Sequence, residues 1–490
     1  MSVTEWFEAV MRPLADVIGS IVFFSISIFG SDVPLIVIWL IAGGVFFTGY
    51  LKFINVRGFA EAIRVVRGRY ADPNDPGEIS QFQALTTAVS GTVGISNIAG
   101  VAIAISIGGP GATFWLIVAG LLGMSTKFAE CTLGVRYREV HADGSVSGGP
   151  MYYLSHGLSD RGWPRLGKAL AIFYAISLVL GGLGGNLLQS NQSTAILLDV
   201  FGDGRDGGAT WWVGIALAIT VGLVIIGGIK SIARVTARVV PTMALLYIGT
   251  AILVLIINAE RIPGALAAIW NGAFSAPGIT GGAVGALIMG FRRAVFSNEA
   301  GLGTAAIAHS AARTPYPASE GYVALLEPFL DTVVICTMTA LVIVTTVYEP
   351  GSSVVDGIEL TSRAFATAAW WAPIPLSIAA FLFAYTTVVA WAYYGLKAFT
   401  FVVGESRLAD MTFKLAVVTS VIIGSSIELR AIVDLADALV LLIAVPNLAG
   451  LYLLAPVVRI ELNRFQRHVL RADRTHFDGP TIGDSNIHGR

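Results

Sequence analysis

The sequence predicts an all-α membrane protein of about 11 transmembrane helices, built as a five-plus-five inverted repeat with one extra peripheral N-terminal helix. Three observations predict it. The 490-residue chain is 55% hydrophobic and only 13% charged, against roughly a quarter charged in soluble domains. Its Lys and Arg residues fall on alternate loops. And a short phrase occurs twice, as Ser96-Asn97-Ile98-Ala99-Gly100 and as Ser297-Asn298-Glu299-Ala300-Gly301, each copy inside a glycine-rich apolar stretch. Paired, glycine-interrupted apolar segments at matching places in two halves point to the binding site of a secondary transporter.

Apolar runs near the ~20 residues that cross a bilayer core fall at about 34–54, 83–107, 112–134, 169–192, 211–228, 238–258, 283–309, 322–347, 374–398, 411–426 and 433–457. Residues 14–31 are apolar but short and end at Ser31-Asp32, which reads as an interfacial or half-embedded helix. The acidic start (Glu5, Glu8) argues against a cleavable signal peptide. Cys131 and Cys336 lie in apolar runs and provide neither a disulfide framework nor metal-ligand spacing.

Loops 52–82, 135–168, 229–238, 310–321 and 397–414, with the tail after 457, hold 23 of the 31 Lys and Arg residues. The opposite side holds five: Arg12, Arg205, Arg261, Arg363 and Arg430. The positive-inside rule makes the basic side cytoplasmic, the N-terminus external and the C-terminus internal, in a plasma (inner) membrane.

Asn97 and Asn298 are 201 residues apart. Counting loops, the first copy lies in a span running inward to outward and the second in one running the other way. Five spans begin with each copy, and an odd number inverts the second set. The expected organisation is an N-terminal segment with a peripheral helix and cytoplasmic loop (1–82), a first repeat (83–258), a second repeat (283–457) and a cytoplasmic tail (458–490). Glu130 and Asp331, also 201 apart, are acids in the second helix of each repeat.

The first copy supplies the pocket candidates. In SGTVGISNIAG (90–100), Gly91, Gly94 and Gly100 each weaken a helix by about 1 kcal/mol relative to Ala, and Ser90, Thr92, Ser96 and Asn97 bring oxygens and donors. A helix that opens here exposes carbonyls to a cation and amide N–H groups to a carboxylate. Such backbone survives at membrane depth only inside protein or beside a cavity.

The second copy, residues 290–312, carries Arg292, Arg293 and Glu299. A charge in mid-membrane costs at least ~2.5–3.5 kcal/mol, so these need partners. Glu299, Glu130 and Asp331 are the expected partners of the two arginines, in a gate or packing network. Gly290 and Phe291 are expected to give a helix break and an aromatic wall. His309 reads as a structural hydrogen-bonder.

The third helix of repeat one carries the amides Asn186, Gln189, Asn191 and Gln192, which can donate to a carboxylate and accept from an ammonium or join helices. The corresponding helix of repeat two carries Thr386 and Thr387, hydroxyls suited to sodium, and Trp391, a pocket wall or a packing residue. The loop phrase GGPMYYL (148–154) prescribes a turn and an interface plug. It lacks the glycine spacing and Lys-Ser/Thr of a phosphate loop. No nucleophile–base pairing is present, so the expected protein is not an enzyme.

These phrases together are similar to those of the alanine or glycine:cation symporter family, carried by SNEAGLGTAAIAHSAA (297–312), GGPMYYL (148–154), GISNIAGVA (94–102) and WAYYG (391–395). The resemblance implies a leucine-transporter-like fold. It implies substrate at Gly91, Thr92, Gly94, Ile95, Ser96 and Asn97, against Gln189, Phe291 and Trp391. It also implies a sodium ion, the coupling ion, between that break and Thr386/Thr387, with carbonyls near Gly91 and Gly94. Ser96 stands where the family commonly has glycine and Leu396 where it often has an acid, which bears on the exact substrate. The expected activity is sodium-coupled import of small neutral amino acids, alanine or glycine, by alternating access. The expected partners are the amino acid, sodium and membrane lipid, and no nucleic acid. The alternatives are a proton-coupled carrier using Glu130, Asp331 or His309, and a membrane sensor that binds amino acid without moving it.

Overall fold

A computed structural model describes residues 3–28, 31–202, 208–274, 282–349, 357–427 and 429–467. Arg205, Arg471 and Arg474 of the charge pattern lie outside them, as does the tail beyond 467. Helix dominates. Two short antiparallel hairpins, Ser25–Ile28 with Ser31–Pro34 and Glu139–Val140 with Val146–Ser147, are the described strands.

Each of the eleven expected spans coincides with helix. Among the described residues, seven helices are long and apolar enough to cross a membrane, and Gln81–Thr92 with Ile95–Gly108 forms an eighth candidate bent by 64°. Leu35–Tyr50 and Ala209–Ile225 are shorter apolar helices. Gly282–Asn298 is 17 residues long and carries the two arginines.

The N-terminal segment differs from expectation. Helix Val3–Val22 stops before residue 31, and a hairpin follows. The phrase Ser25-Ile26-Ser27-Ile28 alternates with period two, which suits a strand and not a helix face. Met11, Ala15 and Ile18 pack on Leu187, Leu435 and neighbouring side chains.

Small residues let the long helices approach closely, as membrane helices require where lipid supplies no hydrophobic drive between them. A Cβ on Gly181 would lie 2.8 Å from Ile443 Cδ1. Gly290, expected to break its helix, does this instead: Gly282–Asn298 runs through it unbroken, and a Cβ there would meet Ala112 O and Trp115 Cβ at 2.6 Å.

Candidate functional site

The first phrase opens its helix. Ser80 starts Gln81–Thr92 with a capping box: its hydroxyl accepts from Gln83 N at 3.2 Å, and Gln83 Oε1 accepts from Ser80 N at 3.0 Å. The helix ends at Thr92, a 3₁₀ turn covers Ile95–Asn97, and Ala99–Gly108 resumes. The backbone groups freed by the break find side chains, as buried polar groups must. Asn97 Oδ1 accepts from Gly94 N at 2.9 Å. Gln189 Oε1 accepts from Ile95 N at 3.0 Å. Thr339 donates to Asn97 O at 2.8 Å. Gly94 is required by space, because a Cβ would lie 2.6 Å from Thr387 Oγ1 and 2.8 Å from Gln189 Nε2.

The second phrase also breaks, between Asn298 and Ala305. Glu299 has φ 56°, a left-handed conformation costly for a residue with a side chain, and Gly301 and Gly303 follow at 97° and 77°. The Glu130 carboxylate accepts from the amides of Gly301 (2.9 Å) and Gly303 (3.1 Å) and from Asn447 Nδ2 (2.9 Å). Its counterpart Asp331 accepts from Asn97 Nδ2, from Ser297 Oγ and, at 2.7 Å, from Thr332 Oγ1. The second helix of each repeat thus holds the broken first helix of the other. The Gly148-Gly149-Pro150 turn packs Pro150 beside Gly303, and Tyr153 hydroxyl bonds Asn447.

Gly91, Ser96, Gln189, Thr387, Trp391 and Glu299 line one small cavity with Gly185, Leu188, Phe296, Ala436 and Val440, of about 30 Å³. Trp391 Nε1 donates to Glu299 Oε1 at 2.8 Å and lies 3.3 Å from Gly91 O, tying the two breaks together across the pocket. Asn97 and Ile95 are buried just behind this lining, held by the bonds above. The Thr92 hydroxyl is used within its own helix, donating to Val89 O at 3.2 Å.

Phe291 is elsewhere. It lines a second cavity with Leu40, Gly123, Thr126 and Asn298, and the aromatic wall of the first is Phe296. The two threonines also diverge. Thr387 Oγ1 donates to Ser90 O at 3.0 Å and lies 3.4 Å from Val93 O. Thr386 donates to Leu382 O at 2.9 Å within its own helix. The oxygens that converge are therefore Thr387 Oγ1 and the carbonyls of Ser90 and Val93.

The arginines share a carboxylate that the phrases did not point to, not the expected Glu299, Glu130 or Asp331. Both pair with Asp437, Arg292 at 2.7 Å and Arg293 at closer range. Asp437 follows Ala436 of the pocket lining, and the Arg293 guanidinium sits 5.2 Å from the Phe296 ring centroid. A second network is fully buried: Lys127 Nζ pairs with Glu327 at 3.1 Å, and His309 bridges Glu320 (2.6 Å) and Glu327 (2.7 Å). Cys131, His309 and Glu327 bring ligand atoms within 4.8 Å of one another, a grouping from three helices that spacing alone could not reveal. The Lys127 ammonium already supplies the positive charge there. Asp437, Asn447, Glu320 and Glu327 are the residues that the reading of the phrases missed. The available signal was the same for all: a polar side chain within or at the edge of an apolar span needs a partner.

The family model described as the sodium:alanine symporter family matches residues 17–478. A sodium/alanine symporter, AgcS, of Methanococcus maripaludis is 38% identical, covering 88% of this chain and 94% of that protein. A probable sodium/glutamine symporter, GlnT, of Bacillus subtilis is 35% identical over 88% of each chain. A putative sodium/proton-dependent alanine carrier, YrbD, of Bacillus subtilis is 31% identical over 92% of this chain and 93% of its own. The crystal structure of MhsT in complex with L-phenylalanine matches the fold with a TM-score of 0.56 at 14% identity, covering 79% of this chain and 98% of that one. With the fold of a leucine-transporter-like carrier and near full-length matches, the chain belongs to the sodium:alanine symporter family, as a multi-pass membrane transporter of amino acids coupled to a cation.

Proposed function

We propose that this chain is a sodium-coupled symporter that imports small neutral amino acids, alanine or glycine first, by alternating access of two repeats at 83–258 and 283–457. One observation carries the reading. Thr387 sits against the carbonyls of Ser90 and Val93 on one side of the first break, and the same residue lines the small cavity with Gly91, Ser96, Gln189 and Trp391. An ion taken by those oxygens would order the backbone that forms the substrate site, which makes the two affinities interdependent.

In this mechanism the substrate lies against the broken helix, and Gln189, on the pocket wall, holds the break open through the Ile95 amide. Trp391 and Phe296 limit side-chain size, and Ser96 narrows the pocket further. Arg292, Arg293 and Asp437 form the gate beside the cavity, external by the charge pattern of the loops. Glu130, Glu299 and Asp331 hold the breaks in shape. Sodium favours the outward-facing arrangement, the substrate completes the pocket, and the bundle turns inward. No bond in the substrate changes.

Uptake of labelled alanine, glycine, serine, glutamine, leucine and phenylalanine into proteoliposomes, with and without a sodium gradient at fixed pH, tests this. Sodium-independent uptake, or preference for leucine or phenylalanine, would overturn it. A proton-coupled carrier is the second reading, favoured by the buried bridge of His309 between Glu320 and Glu327. Uptake driven by a pH gradient without sodium would select it.

A further inference from the structure

A large cavity separate from the pocket lies where Leu35–Tyr50 ends, beside two short helices (Ile54–Arg57 and Phe59–Val66) and the end of Ala444–Phe465. Its volume is about 600 Å³, within the range of small-molecule sites. Lys52, Arg57, Arg64, Arg459 and Arg467 line it, and all five are exposed. Glu61 is the one carboxylate among its lining residues. It is already engaged, by Arg64 at 3.0 Å and by the Tyr70 hydroxyl at 2.6 Å. The cavity therefore carries a strong excess of positive charge.

Two further features set the chemistry of its occupant. Lys52 and Phe53 both have left-handed backbones, with φ of 56° and 57°, a strained pair that persists only where the surroundings enforce it. The turn leaves Lys52 on the cavity and Phe53 outward and 61% exposed. Val56 and Ile460, exposed at 71% and 63%, place more apolar surface beside the basic residues. A basic hollow edged by apolar side chains at the end of membrane helices matches a phosphate headgroup whose acyl chains stay in the bilayer. The ring of Tyr50, the last residue of its helix, lies under the Arg459 guanidinium, 5.4 Å from ring centroid to Cζ, which holds one of the cations on the wall.

We propose that this cavity binds the headgroup of an anionic phospholipid of the leaflet on that side. It is independent of the transported substrate and of the coupling ion. Free inorganic phosphate would share the charge chemistry but not the apolar edge.

The test is lipid binding, read without transport. Detergent-purified full chain is titrated with dioleoyl-phosphatidylglycerol, dioleoyl-phosphatidylcholine or inorganic phosphate, following the thermal midpoint and retained lipid by native mass spectrometry. Phosphatidylglycerol should bind and stabilise, and phosphatidylcholine should do so far less. Arg57→Gln with Arg459→Gln should weaken phosphatidylglycerol roughly 25-fold, about fivefold per lost charge. Arg459→Lys should retain most of the affinity, and Arg407→Gln, an exposed cation elsewhere, should retain all of it. If the double variant does not fold, Arg467→Gln at the rim should still show the single fivefold loss. Equal effects of the two lipids, undiminished affinity in these variants, or full reproduction of the shift by inorganic phosphate would each overturn the proposal.

Discussion

Arg293 and Asp437, 144 residues apart in the chain, form an ion pair beside the pocket, with Arg292 on the same carboxylate. Asp437 is fully buried. Breaking such a pair from one side leaves the opposite charge uncompensated, at a cost on the order of 3–5 kcal/mol. Asp437→Asn should therefore lower maximal uptake at least tenfold, while equilibrium binding of alanine changes much less. Loss of binding in proportion to uptake would assign Asp437 to the substrate site instead of the gate.

Thr387→Val keeps shape and removes the hydroxyl that meets Ser90 O and Val93 O. It should raise the sodium concentration for half-maximal uptake at least tenfold. Thr386→Val should change it less than threefold, because the Thr386 hydroxyl is spent on Leu382 O. Equal effects at the two positions would remove the cation assignment.

Gln189→Leu orphans the Ile95 amide. An unsatisfied buried donor costs about 1–3 kcal/mol, so affinity for all amino acids should fall together by roughly 5–150-fold. Trp391→Ala should admit larger side chains while keeping some alanine uptake. Competition of labelled alanine uptake by glycine, serine, leucine and phenylalanine separates the two patterns. An unchanged ranking in Trp391→Ala would exclude Trp391 as the wall.

Lys127→Met leaves Glu327 with His309 alone in a fully buried setting. The thermal midpoint should drop clearly. Adding Glu327→Gln should recover part of the loss, since the second change removes the uncompensated charge. A double variant less stable than either single variant would show that the pair does not act as a unit.

A tag on the C-terminus should be reachable by a membrane-impermeant label only after the cells are opened. Labelling in intact cells would reverse the assigned orientation.

What the sequence discloses follows physical lines. Charge asymmetry and the doubled phrase lie within contiguous stretches, so the helices and the inverted repeat could be read directly. The arginine partner could not, because it depends on which distant helix packs against residues 292–293. Asp437 nonetheless left a signal, as an acid in the last span without an assigned role. Phe296 lines the pocket and the expected Phe291 does not because of helix rotation: five residues turn a helix by about 140° beyond one full turn, and nothing in the phrase sets that angle. The threonine pair is legible from helix geometry alone. Neighbours on a helix point about 100° apart, so one hydroxyl at most could face the break.

The exchange of acids between repeats has a consequence for how the protein is made. Asn97 is held by Asp331, 234 residues later in the chain, and the amides of Gly301 and Gly303 wait on Glu130 from the earlier half. During synthesis the first five helices enter the bilayer with their broken segment unfinished: the Asn97 side chain and the carbonyls of Ser90, Val93 and Asn97 take partners that come only from the second half. Only when the second half arrives does either break acquire its final shape. A ribosome that stalls between the halves therefore leaves not a half-carrier but a membrane fragment with unsatisfied backbone at its centre, a natural target for quality-control proteolysis.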